Sequence, residues 1–171
     1  MRYLTIVRHA KAAAPVTGQD DFDRPLTPRG RAQAEALRVW ALDHRALGAY
    51  GPTTALVSAA ARTRETYAVA FAGTPFVDAV ETSELIYNGH RDVRAEDLVA
   101  ELASIDPVTE SLLVVGHNPT VFELAYSLSA TPIPELERGK YPLGGAVVLQ
   151  LADEPIAWRK YEYVCSFVPD V

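Results

Sequence analysis

Sulfur is scarce in this chain: of 171 residues, one is cysteine and one is methionine. A lone Cys165 excludes an internal disulfide framework and suits a reducing, cytoplasmic setting. Nor does Cys165 fit a cysteine-phosphatase loop, which needs an arginine six positions on, where Val171 stands. No apolar run approaches the ~18–20 residues that span a bilayer. The opening MRYLTIVRHA has too short an apolar run, and no small-residue cleavage site, for a signal peptide. The nucleotide and nucleophile-elbow patterns G-x-x-x-x-G-K-[ST], G-x-G-x-x-G and G-x-S-x-G are absent, as are H-x-H and H-E-x-x-H zinc spacings. Gly144-Gly145 matches no phosphate fingerprint. Positive charge is also in deficit. The net charge of −6 argues against nucleic acid or an anionic membrane as partner. Internal repeats, low-complexity tracts and long linkers are missing too, so the expectation is one domain over residues 1–171.

What is present is a regular alternation of strand and helix signals. Residues 3–7 (YLTIV), 54–58 (TALVS) and 111–117 (SLLVVGH) read as strands buried on both faces. "FVDAV", 76–80, reads as a short strand, and "ETSELIYNGH" after it as a loop or broken helix. Thr27-Pro28 is a helix start, with Thr as cap and Pro at the first helical position. That helix carries Leu37, Trp40, Ala41, His44 and Leu47 at helical spacing, with Gly48 as its stop. Further helices are expected over 60–72, 92–105 and from Pro119 onward. "GGAVVLQL" and "WRKYEYVCSFV" close the chain as strands, with an antiparallel arrangement left open. The alternation implies a three-layer α/β/α sandwich with a mainly parallel central sheet.

In such sheets, sites form at the carboxyl ends of strands. That rule selects Arg8-His9, then Ser58 with Arg62, then Gly116-His117-Asn118. In an acidic chain these cations stand out. Arginine forks match phosphate oxygens, and a neutral imidazole with one nitrogen tied and the other free is a nucleophile toward phosphorus. A second, protonated imidazole would stabilise charge on the equatorial oxygens. Lys11 and Arg24 are candidates for steering phosphate.

The words "VRHAKA", "RPLTPRGRAQA", "VSAAARTRET" and "VVGHNP" resemble the histidine phosphatase superfamily, and more closely its short, single-domain phosphohistidine phosphatase branch. Ala10 replaces the glycine of the superfamily's Arg-His-Gly, a departure that suits the short branch. The resemblance implies a phosphoglycerate mutase-like fold and a hydrolase needing no metal or other cofactor. It implies His9 as the phosphorylated nucleophile, Arg8 and Arg62 as phosphoryl ligands, and His117 as the residue that completes the pocket. The family's acid, matched on "SELIYNG", would be Glu84. Expected substrates are a phosphorylated protein or a small phosphoester. Two rival readings stay open: a mutase-like phosphotransferase, disfavoured by the short 76–93 connection, and a non-catalytic phosphoprotein-binding module. Physiological substrate and oligomeric state are not legible.

Overall fold

The computed structural model describes residues 2–43, 53–87, 94–105, 111–136, 139–151 and 158–171. Six strands form one sheet: β1 (Arg2–Arg8), β2 (Thr53–Ser58), β3 (Ala79–Ser83), β4 (Ser111–Gly116), β5 (Ala146–Leu151) and β6 (Glu162–Phe167), in spatial order β3-β2-β4-β1-β5-β6. The first four run parallel, while β5 runs antiparallel to β1 and to β6. Among the described residues four α-helices accompany them: α1 (Pro28–Asp43), α2 (Ala61–Ala70), α3 (Ala95–Ser104) and α4 (Thr120–Leu128).

The period-2 geometry of the central strands sorts their side chains into two cores. Leu4, Ile6, Leu112 and Val114 point to a core shared with Leu98, Leu102, Leu124 and Leu128 of α3 and α4. Val7, Leu113 and Val115 point to the other, shared with Leu37 and Ala41 of α1 and with Ala70 of α2. The result is the expected α/β/α sandwich. Among the described residues no helix is long and apolar enough to cross a membrane.

Local signals hold at the start of α1. Thr27 Oγ1 accepts from the Gly30 amide at 3.0 Å, as an N-cap should. His44, Leu47 and Gly48 lie outside the described residues, as does Val93 of the 92–105 segment. The third strand is displaced from 76–80 to 79–83, for a visible reason. Asp78 exchanges bonds with Thr53, its amide donating to the Thr53 carbonyl and its carboxylate accepting from the Thr53 amide. Phe76 packs instead, edge-on to Phe71, as a core residue in a turn. "ETS" therefore belongs to the strand and not to the loop.

Gly30 is fixed by close approach. A Cβ there would overlap the Lys11 carbonyl oxygen, which accepts from the Thr27 amide and hydroxyl. Gly30→Ala should cost roughly 1–3 kcal/mol of stability, as overpacking does, measured by urea unfolding.

Candidate functional site

The turn after β1 is held from several sides. The His9 amide donates to the Gly116 carbonyl at 3.0 Å, and the Gly144 amide donates to the His9 carbonyl at 3.1 Å. Ala10 N–H is taken by Thr66 Oγ1 of α2, and Lys11 N–H by Gln33 Oε1 of α1. Gly144 takes φ +70°, which glycine accommodates without strain. Among described non-glycine residues only Arg159 has a positive φ. Ala10 therefore needs none of the freedom that glycine would bring.

Within that frame His9 Nδ1 donates to the Ala10 carbonyl at 2.7 Å. This fixes the tautomer and leaves Nε2 with the lone pair, without a partner among the described residues. The rings of His9 and His117 stand 4.9 Å apart. His117 Nε2 meets the buried Ser58 Oγ at 2.9 Å, and its Nδ1 accepts from Arg62 Nε at 3.3 Å. Arg8 Nη1 donates to the Tyr141 carbonyl at 2.6 Å, while Arg8 Nε is buried with no acceptor among the described residues. An orphaned buried cationic donor is costly unless an anion arrives.

Burial first, then the charges of Arg62 and Arg8, lower His9 to about 4; the bond to Ala10 opposes this. Burial, then His9 and Arg62, lowers His117 further. His117 Nδ1 accepts from Arg62 Nε, the bond of a neutral imidazole, and the expected protonated form is one that bound phosphate would have to favour. Unfolding frees both imidazoles to titrate near ~6.5. The unfolded chain then binds more protons, so stability is complete above that pH and is lost as pH falls toward 4. Each imidazole should give a slope of up to about 1.4 kcal/mol per pH unit. Urea unfolding between pH 6.5 and 4.5 should show it, and His9→Asn with His117→Asn should flatten it.

The structure brings Arg8, His9, Arg62 and His117 together. Arg24 binds Asp21 Oδ1 and the Ala13 carbonyl, clamping its own loop, and its charge also reaches His9. Lys11 uses its backbone in the frame, and its side chain is exposed. Glu84 stands apart. Its carbonyl accepts from the Tyr87 amide, and its exposed carboxylate makes no bond among the described residues.

Two residues at the rim were not singled out by sequence. Asp21 lies in a short 3-10 turn, Asp21–Asp23. Its carbonyl accepts from Arg62 Nη1 at 2.6 Å and its carboxylate from Arg62 Nη2 at 2.9 Å. Tyr87 donates to Asp21 Oδ2 at 3.3 Å and stands edge-on to His117 at 5.6 Å. The only sequence signal for Asp21 was its place three residues before the Arg24-Pro25-Leu26 word.

Residues 4–86 match the family model of the histidine phosphatase superfamily, branch 1. An uncharacterised protein of Mycobacterium tuberculosis H37Rv, Rv1276c, is 32% identical over 166 residues, 94% of each chain. The chain belongs to the histidine phosphatase superfamily. Within it, the fold is similar to that of a protein from Agrobacterium tumefaciens assigned provisionally as the phosphohistidine phosphatase SixA, at TM-score 0.78 and 27% identity over 98% of this chain and 99% of that one. A Nakamurella protein with the same provisional assignment gives TM-score 0.74 and 25% identity over 99% and 97%. This histidine phosphatase is thus of the short, SixA-like form, and its sheet is the phosphoglycerate mutase-like one.

Proposed function

We propose that this histidine phosphatase hydrolyses phosphate from phosphohistidine in proteins or from small phosphomonoesters, through a phosphoryl group carried on His9 and without a metal. The observation that carries the reading is the free Nε2 of a tautomerically fixed, neutral His9, facing a second imidazole and two guanidiniums. A binding module has no use for an unprotonated nucleophile held this way. The provisional SixA assignments of the similar structures support the phosphohistidine side of the proposal.

In this scheme the substrate phosphoryl group takes the orphaned Arg8 Nε and hydrogens of Arg62. Its charge offsets the burial that keeps His117 neutral, so His117 takes a proton from solvent at Nδ1 as Arg62 Nε turns from it to the phosphoryl group, and the Nδ1–H then hydrogen-bonds a phosphoryl oxygen. His9 Nε2 attacks phosphorus as the bond to the leaving group breaks. Water then attacks phosphorus, and the P–Nε2 bond breaks with its electron pair returning to Nε2.

The test is a substrate panel: phosphohistidine protein, sugar phosphates, nucleotides and a chromogenic aryl phosphate, without added metal. Turnover should survive chelators, because arginine and histidine supply the electrophilic stabilisation. Loss on chelation, restored by a divalent ion, would contradict the scheme. Glu84→Gln should leave aryl phosphate turnover within about threefold, in keeping with an exposed surface change; a loss of the ~10²-fold typical of a general acid would restore Glu84 to that role.

A further inference from the structure

We propose that the cavity at the far end of α4 is a second ligand site, and that it takes a small organic anion with an apolar body, an aryl or alkyl carboxylate or sulfonate. The site is separate from the chemistry at His9.

Topology puts it there. The catalytic residues stand at the carboxyl edge of the parallel strands. α4 begins at that edge, three residues after His117, and ends at Leu128. β5 runs antiparallel to β1, with Leu151 beside Arg2, and β6 returns from Glu162 beside Gln150. Ser129 bridges to Tyr161, so the end of α4 and the turn before β6 meet at the amino edge. The nine residues of α4 keep this place roughly 13 Å from the catalytic pocket. The cavity there has a volume of about 590 Å³. Small-molecule sites run from about 300 to 1,000 Å³.

The lining is apolar with donors set into it. Ile133 and Leu136, both buried, give an apolar floor, and the exposed Tyr126 ring, stacked on Phe122, gives a wall. Two donors are unspent. Thr131 Oγ1 accepts from the Tyr163 amide, which leaves its hydroxyl hydrogen to give. Arg159 is the only charged side chain among the described lining residues, and its guanidinium makes no bond or ion pair among the described residues. Glu135 and Glu162, the described acids near the cavity in sequence, do not line it. A cationic fork and a hydroxyl above an apolar floor select an anion with an apolar body.

The backbone singles out Arg159. Its φ is +52°, where an L side chain is crowded. The Arg159 amide donates to the Ser127 carbonyl, and the Tyr161 amide to that of Leu128, which closes α4. Those bonds need only a backbone, and glycine would make them without strain. An arginine held there is accounted for by its guanidinium at the cavity.

The experiment is a fluorescence titration of the full chain with anilinonaphthalene sulfonate, an aryl anion, and with the uncharged phenylnaphthylamine. The sulfonate should saturate a single class of site. It should bind at least about tenfold tighter than the uncharged amine, the effect of a charge-assisted bond. Saturating inorganic phosphate should leave it bound, since the catalytic pocket lies at the other edge. Arg159→Gln should weaken it at least about tenfold. Ala130→Phe, which adds a ring to the lining, should block it. Both variants should keep the near-ultraviolet circular dichroism of wild type, and where one does not, the wild-type titrations decide alone. Displacement by phosphate, equal affinity for the two probes, full binding to Arg159→Gln, or binding that never saturates would each overturn the proposal.

Discussion

His9→Ala loses turnover on the order of 10⁶-fold, the scale on which a covalent nucleophile is missed. Among the described residues, no other side chain in the pocket has a free, neutral nitrogen: His117 has Nε2 on Ser58 and Nδ1 on Arg62. The loss should fall on kcat and spare anion binding. Arg8 Nε remains an orphaned donor, and Arg62 remains against His117. Inorganic phosphate should still bind His9→Ala within about tenfold of wild type, measured by calorimetry. Loss of binding together with turnover would mean that His9 organises the pocket rather than reacting in it. His117→Ala, by contrast, should slow the reaction without changing which residue carries phosphate.

Arg62→Ala loses at least roughly 10²–10³ in kcat/KM, the effect of removing one charge-stabilising donor, and Arg62→Lys recovers little of it. The reason is geometric. The guanidinium acts at three nitrogens: Nε on His117, Nη1 on the Asp21 carbonyl, Nη2 on the Asp21 carboxylate. A lysine keeps the charge and has one nitrogen, so it cannot hold the imidazole and the rim loop at once. Steady-state kinetics of both variants test this. A fully active Arg62→Lys would reduce Arg62 to a general attractor of anions.

The parts legible in the sequence were those where one local rule acts alone. β1, β2 and β4 are apolar on both faces, so their ends, and with them Arg8, His9, Arg62 and His117, could be placed at one edge of the sheet. The Thr27 cap could be placed because Thr-Pro specifies a helix start whatever surrounds it. β3 was not legible: four of its five residues are exposed, and its start is set by Asp78 bonding to Thr53, a contact 25 positions away. Asp21 was hidden for the same reason. It reads as one more acid in a polar loop until the fold lays it on Arg62. The charge state of His117 also depends on the fold. Burial is the largest influence on it, and sequence says only that a histidine follows a strand.

The most direct test of the account is to quench a reaction with labelled substrate in base and map the label. Phosphohistidine survives base and is lost in acid, so the alkaline quench preserves it. Label is expected on His9 alone, removed by brief acid treatment, with none on His117 or on any variant lacking His9. Active protein that never carries label on His9, or a His9→Ala variant that still turns over, would contradict it.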